Sequence, residues 1–114
     1  MAQIETLKKR RDFLAAARRR AVRQPGMLVQ ARARDDDNPS IRIGYTCSRK
    51  VGNAVIRNRA KRRLRAVAAQ LLPIAGRSGW DYVLIGRAVS TVSRAFPQLV
   101  EDLQAALARL HSAG

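Results

Sequence analysis

Residues 49–65 of the chain read RKVGNAVIRNRAKRRLR, and the rest of the sequence is best understood outward from this stretch. The stretch contains eight of the 23 lysines and arginines and none of the eight acidic residues. Positive charge this concentrated and this uncompensated is typical of a surface that binds a polyanion.

The spacing of apolar residues predicts a helix from about Ala54 to Gln70. Apolar side chains recur every three or four residues and so form one stripe that faces a core, namely Ile56, Ala60, Leu64, Val67 and Leu71. The opposite face carries Asn58, Lys61, Arg62 and Arg65, and the stripe is flanked by Arg57, Arg59 and Arg63. Asn53 is a favourable N-cap for this helix, and Gly52 gives the backbone freedom for a close turn before it.

A run of charge on a helix is most often a solvated face. Such faces usually mix lysine or arginine with glutamate, because opposite charges at helical spacing give weak support and relieve repulsion. Residues 38–80 contain ten lysines and arginines but no aspartate or glutamate. The sequence therefore favours an external anion as the partner of this helix.

Length and composition favour a single domain over residues 1–114, since 46% hydrophobic content is enough for one modest core. Residues 1–7 are expected to be a flexible tail. A net charge of +15 indicates nucleic acid, with an anionic membrane surface as the competing partner. The membrane is disfavoured because aromatic residues make up only 4% of the chain and no apolar run approaches the length of about 18 residues needed for a span. With no apolar secretory signal at its start, the chain is expected to be cytoplasmic.

The segments before the basic stretch show one helical pattern and two alternating ones. A short helix is predicted over Arg10 to about Arg19. Met27 to Arg34 and Ile41 to Cys47 alternate, and they are predicted to pair as an antiparallel hairpin around a polar loop. Cys47, the only cysteine, is interpreted as a small strand residue without chemistry of its own.

The segments after the basic stretch complete an α+β pattern. Pro73 is expected to end the basic helix, and a mostly apolar strand follows over Tyr82 to Ile85. Pro97 to Leu110 has the apolar stripe of a last helix. The order of helix, strands, helix, strand and helix predicts an α-β sandwich, with helices packed on a small sheet.

No group of residues in the sequence resembles a catalytic or metal centre. Asp35, Asp36 and Asp37 are consecutive in a polar loop, and neighbours in a flexible connection do not by themselves converge on a cation. His111, the only histidine, is expected to be exposed in the C-terminal tail. A self-sufficient nuclease would need an acid–base pair or clustered carboxylates, so neither catalytic residues nor a metal site are predicted.

Two other classes of nucleic-acid-binding protein share this composition. A structural RNA-binding protein of ribosomal type would carry the same excess of positive charge. A DNA-binding basic helix is less favoured, because no dimerising heptads adjoin the basic stretch.

Ser48 to Arg65 closely resembles the RNR motif of the bacterial ribonuclease P protein component. The similarity includes the non-basic residues as well as the charges, which makes it specific. Three further segments are similar to the same family: Leu7–Arg10 followed by Asp12 and Phe13, Gly44–Thr46, and Asp81–Ile85. The resemblance covers nearly the whole chain and favours this family over the ribosomal type.

This resemblance implies both a fold and a function. The fold is an α-β sandwich with a left-handed crossover around the basic helix, although such connections are almost always right-handed. The family's protein assists a catalytic RNA that removes the 5′ leader from precursor tRNA, with one protein per RNA. Mg²⁺ is bound mainly by the RNA, and the protein lowers the Mg²⁺ requirement. By this resemblance the residues that face the catalytic RNA are Arg49, Lys50, Asn53, Arg57, Asn58, Arg59, Lys61, Arg62 and Arg65.

The resemblance also implies a cleft for the single-stranded leader, between the first helix and the sheet. Phe13 matches an aromatic residue of that cleft, whereas composition alone favours a core role for it. Relatives often have aromatics at the positions of Ala17 and of Val29 or Gln30, so stacking on the leader is expected to be weaker here. Arg32 and Arg34 are expected to replace the missing stacking contacts with attraction of their charge to the leader. The candidate residues of the cleft are Phe13, Ala17, Val29, Arg32, Arg34 and Tyr45.

Overall fold

A computed structural model describes residues 3–112 as a five-stranded mixed sheet with helices on both faces. The strands are β1 (Ile4–Thr6), β2 (Arg20–Arg23), β3 (Met27–Ala33), β4 (Ile41–Thr46) and β5 (Trp80–Gly86). The helices are α1 (Arg10–Ala17), α2 (Ala54–Ala75), α3 (Ser90–Ser93) and α4 (Phe96–Ser112), and a 3₁₀ turn over Arg49–Val51 precedes α2. The predicted α+β class with a small sheet is confirmed.

The strand order is β1-β4-β5-β3-β2, which contradicts the predicted hairpin of β3 and β4. The central strand β5 lies between them, antiparallel to β3 and parallel to β4. Val83 of β5, for example, has Gln30 on one side and Gly44 on the other. β5 is the most continuously apolar strand, so burial places it in the centre, and α2 connects the parallel neighbours β4 and β5. The hand of this crossover stays an expectation from the family resemblance.

The main core lies between one face of the sheet and the helices α2 and α4. On α2 the predicted stripe is buried at Ala60, Leu64 and Val67, each with no exposed surface. Further along, the stripe drifts to Ala68 and Leu72, while Ile56 and Leu71 are only half-buried. The buried side chains thus advance by four residues per turn, from Ala60 to Leu72, and because the helical repeat is only 3.6 residues the buried line winds slowly around α2.

Both ends of α2 can be explained by local chemistry. Asn53 caps the start, since its Oδ1 accepts a hydrogen bond from the backbone nitrogen of Ile56 at 3.0 Å. Gly52 has a φ of +149°, and a Cβ there would lie 2.8 Å from the Ile56 side chain. The prediction that Pro73 ends the helix is wrong, because α2 continues to Ala75. Pro73 leaves the carbonyl of Ala69 without its helical donor, and this is tolerated in an exposed last turn.

Two short strands were not predicted. The expectation of a flexible tail over residues 1–7 is wrong for residues 4–7, while residues 1 and 2 lie outside the described part of the chain. β1 pairs in parallel with β4, and Leu7 is buried and donates its backbone N–H to the carbonyl of Ile43 at 2.8 Å. β2 begins only three residues after α1 ends at Ala17, and Val22 is its only buried residue. Strands this short carry too little alternation to be recognised.

A cluster of charged residues holds α1 against the other face of the sheet. Asp81 of β5 is fully buried and accepts hydrogen bonds from Arg42 at 2.8 and 2.9 Å, from Arg34 at 2.9 Å and from Arg32 at 3.1 Å. Asp12 of α1 joins the same arginines, at 3.2 Å from Arg32 and 3.5 Å from Arg42. Two carboxylates therefore bind three guanidinium groups, and Asp12 links the helix to the strands.

Burial by itself would raise the pKa of Asp81, but the hydrogen bonds from Arg42, Arg34 and Arg32 outweigh it and hold the pKa below its ordinary value of 3.8. A lowered pKa in the folded state means that the carboxylate stabilises the fold above its unfolded pKa. That contribution is lost as the pH falls through the lower pKa of the folded state.

We predict that Asp81→Asn lowers the free energy of unfolding by about 3–5 kcal/mol at neutral pH, because three guanidinium groups lose their buried counter-charge. Urea unfolding of the wild type and the variant, in steps from neutral pH into acid below pH 3.8, should show the difference shrinking. Asp36→Asn is the matched control, since Asp36 pairs with Arg34 in an exposed loop and should matter little. A difference between wild type and Asp81→Asn that stayed constant into acid would contradict the assignment.

Candidate nucleic-acid interface

The outer face of α2 presents the basic residues of the central stretch. Arg59, Arg62 and Arg65 are exposed along it together with Asn58, while Arg57 and Lys61 are half-buried. Arg49 and Lys50 extend the surface into the 3₁₀ turn, where both are exposed. The structure thus brings the predicted RNA-facing side chains together on α2 and the turn that leads into it.

None of these cations takes part in an ion pair within residues 3–112. The ion pairs of that part of the chain all use other arginines, namely Arg32, Arg34, Arg42 and Arg94, with Asp12, Asp36, Asp81 and Asp102. Four of the eight acidic residues are committed to these ion pairs, and no acid of residues 3–112 pairs with a cation of α2. A bound anion would therefore relieve the repulsion among the lysine and arginine side chains of α2.

Two polar residues of this region serve the fold. The Oδ1 atom of Asn53 is occupied as the helix cap described above. Arg63 is half-buried and donates from Nε to the carbonyl of Thr91 at 3.0 Å and from Nη2 to the carbonyl of Arg94. Arg63 therefore joins α2 to the segment around α3, and sequence alone does not distinguish it from its exposed neighbours.

Phe13 lies in an open groove on the α1 side of the sheet. Its ring is half-buried and rests directly on Gly44, where an added Cβ would lie 2.4 Å from the ring. Leu14 is 47% exposed beside it, and we name the space the Phe13 groove, lined by Lys8, Arg10, Phe13, Leu14 and Thr46. The ring is thus packed on one side and accessible from a basic groove on the other.

Two of the leader-cleft predictions are wrong because the residues lie on the opposite face of the sheet. Val29 is fully buried in the core beneath α2 and α4. Tyr45 is half-buried and packs against the same core, with the guanidinium of Arg65 over its ring. Side chains alternate between the two faces of the sheet along a strand. Val29 and Tyr45 point to the face covered by α2 and α4, so they cannot line a cleft beneath α1.

The other cleft candidates differ in how accessible they are. Arg34 is on the α1 side, but its side chain is only 2% exposed and is bonded to Asp36, Asp81 and several backbone carbonyls, so the prediction that it contacts the leader is wrong. Arg32 is 22% exposed at the edge of the charged cluster. Ala17 is exposed at the end of α1. Arg32 and Ala17 stay candidates beside Phe13.

The expectation that His111 is exposed in a tail is wrong. It lies in α4, where its Nε2 is 2.7 Å from the hydroxyl of Tyr82. That hydroxyl also accepts a hydrogen bond from the backbone nitrogen of Arg77 at 2.9 Å. Burial first, and then Arg77 and Arg20, lower the pKa of His111, which favours the neutral form of the ring. His111 continues the stripe of α4 one turn after Leu107, and that was the signal for its burial.

Metal-ligating side chains do not gather within residues 3–112, where no three histidine, cysteine, aspartate or glutamate residues lie close enough to share an ion. Asp35, Asp36 and Asp37 line a loop, and Asp36 is paired with Arg34.

Burial raises the pKa of the Cys47 thiol, although Lys61 and Arg57 oppose the shift. Every helix within residues 3–112 is either too short or too polar to cross a bilayer.

Comparison with known proteins identifies the family. A profile of the ribonuclease P protein family, described as Ribonuclease P, matches residues 1–111. The ribonuclease P protein component of Ruegeria pomeroyi is 58% identical over 96% of this chain and 88% of its own length. The ribonuclease P protein component of Caulobacter vibrioides is 44% identical over 95% of this chain and 72% of its own length.

Solved structures agree with the sequence relatives. The ribonuclease P protein of Thermotoga maritima superposes with a TM-score of 0.75 and 28% identity, covering 91% of this chain and 96% of that one. The Staphylococcus aureus protein has the same fold at a TM-score of 0.74 and 23% identity, over 93% of this chain and 94% of its own. Because sequence and fold agree over almost the entire length, the chain belongs to the ribonuclease P protein family.

Proposed function

We propose that the protein is the subunit of a bacterial ribonuclease P that docks on the catalytic RNA through α2 and assists removal of the 5′ leader from precursor tRNA. One observation carries the proposal: the cations of α2 and its preceding turn form no ion pair within residues 3–112, while the acids that do form ion pairs there bind arginines elsewhere. RNA phosphates would supply the missing counter-charge and release bound counterions in doing so. We expect one protein per RNA and a cytoplasmic location.

The cleavage chemistry is assigned to the RNA partner. Phosphodiester hydrolysis needs an activated nucleophile and stabilised charge on the phosphoryl oxygens. In this chain His111 is hydrogen-bonded to Tyr82, and the carboxylates of Asp12, Asp81 and Asp102 are bound to arginines, which leaves them poorly placed for either task. The RNA would hold the Mg²⁺ ions. The protein, with a net charge of +15, would neutralise phosphates where RNA and substrate meet and so lower the Mg²⁺ requirement.

The leader is assigned to the Phe13 groove. A single strand needs exposed aromatic faces for its bases and nearby cations for its backbone. Phe13 offers one accessible ring face, and Lys8 and Arg10 are exposed at the same groove. With a single aromatic residue there, the grip on the leader depends more on charge than on stacking.

The docking face is tested by a triple variant, Arg57→Gln, Arg59→Gln and Arg62→Gln. We predict weaker binding to the catalytic RNA and a salt dependence whose slope falls by about 1 for each lost phosphate contact. The melting temperature should be retained, because these side chains make no ion pair within residues 3–112. Salt-titrated binding and circular dichroism melts measure the two quantities.

A matched control removes the same charge elsewhere, with Arg19→Gln, Arg23→Gln and Arg109→Gln, three exposed positions outside α2. This control should bind the catalytic RNA more tightly than the α2 variant does. Equal losses in the two variants would mean that net charge, rather than the face of α2, determines binding. Unchanged affinity in the α2 variant would contradict the proposed docking face.

The leader assignment is tested in the assembled enzyme with Phe13→Ala and Phe13→Leu. If a base stacks on Phe13, each change should weaken binding of precursor tRNA by about 1–3 kcal/mol and leave binding of mature tRNA nearly unchanged. Phe13→Leu keeps an apolar side chain over Gly44, so it separates stacking from packing. Equal losses for precursor and mature tRNA would show that Phe13 only packs.

A further inference from the structure

Tyr45 is an aromatic residue that neither the core nor the Phe13 groove fully explains. It lies on the α2 side of β4, half-buried, and the guanidinium carbon of Arg65 is 5.4 Å from the centre of its ring. An arginine over an aromatic face at this distance is a cation–π contact. A guanidinium plane and an aromatic ring are also the two groups on which unpaired RNA bases stack.

These two side chains line an open groove between the edge of the sheet and α2. The groove has a volume of about 380 Å³, within the range of roughly 300–1,000 Å³ that is usual for small-ligand clefts. Its α2 wall is made of small and apolar side chains, including Ala68, Ala69 and Leu72. We name it the Tyr45 groove.

The other rim of the groove comes from β1, the last strand of the sheet on this side within residues 3–112. Ile4 and Thr6 lie on this rim, because they pair with Ile41 and Ile43, whose side chains face α2, and Thr6 is exposed. The hydroxyl of Thr6 is uncharged and can donate or accept a hydrogen bond at the edge of a base. The groove is therefore suited to a nucleobase rather than to the RNA backbone.

The Tyr45 groove is continuous with the proposed docking face. Arg65 belongs to both, and Arg62 lies three residues earlier, which places it beside Arg65 on the helix surface. An RNA whose phosphates lie along these arginines would bring neighbouring nucleotides to the mouth of the groove. A base that is paired inside a helix is already stacked and cannot enter, so the occupant must be unpaired.

We infer that the Tyr45 groove binds one unpaired nucleobase of the RNA that docks on α2, with the base stacked against Tyr45 and Arg65. The inference rests on the proposed function, since it needs RNA phosphates on the adjacent arginines. It adds a base contact to a surface that would otherwise recognise only backbone charge. Tyr45 thereby contributes to which RNA is bound, and where along it the protein sits.

The test is salt-titrated binding of the catalytic RNA to Tyr45→Leu and to Ala69→Leu. Tyr45→Leu keeps apolar packing but removes the aromatic face, and Ala69→Leu narrows the groove from an exposed helical position. Each should lower affinity by roughly 5- to 150-fold, the range for loss of one stacked base. Neither should change the salt slope, because no phosphate contact is lost.

Matched controls are Tyr45→Phe, which keeps the ring, and Gln70→Leu, which adds the same side chain at an exposed position of α2 outside the groove. Both should bind as the wild type does, and circular dichroism melts should show all four variants folded. Wild-type affinity in both Tyr45→Leu and Ala69→Leu would overturn the inference and leave the proposed function standing. Failure of the wild type itself to bind the RNA would overturn both.

Discussion

Repulsion among the cations of α2 is the constraint on which the rest of the structure depends. Eight lysines and arginines lie within residues 49–65, and a helix with this charge is not stable on electrostatic grounds alone. It is held by its opposite side, where Ala60, Leu64 and Val67 are fully buried, and by the cap at Asn53. Core packing therefore keeps the unneutralised charges in place on one surface.

The placement of acids makes the two sides of the sheet electrostatically different. On the α1 side Asp12 and Asp81 bind Arg32, Arg34 and Arg42, so most of that charge is neutralised within the fold. On the α2 side no acid pairs with the basic stretch in the described part of the chain. The α1 side is consequently a groove with modest charge, whereas the α2 side is a strongly charged surface with the Tyr45 groove beside it.

The sequence was sufficient for the features that depend on local spacing. The start of α2, its cap and most of its buried stripe follow from residues within a few positions of one another, and so does α4. Strand pairing was not predictable in the same way, because the central place of β5 depends on burial across the whole sheet. The short strands β1 and β2 have too few buried side chains to show alternation.

The errors in the candidate site have two physical origins. Because side chains alternate along a strand, Val29 and Arg32 point to opposite faces of the sheet, and so do Tyr45 and Gly44. The predicted cleft combined residues from both faces, which the geometry of a strand does not allow. Arg34 has the right parity, but it is buried because Asp81 of the neighbouring strand binds it. That contact depends on the pairing of β3 with β5, which the sequence did not reveal.

The central claim is that this protein supplies charge and shape while its RNA partner supplies the chemistry. Reconstituted cleavage of precursor tRNA at varied Mg²⁺ tests it most directly, with protein alone, RNA alone, and the two together. The account predicts no cleavage by the protein, cleavage by the RNA alone only at high Mg²⁺, and restored cleavage at low Mg²⁺ when the protein is added. Site-specific cleavage by protein verified to be free of RNA would contradict it.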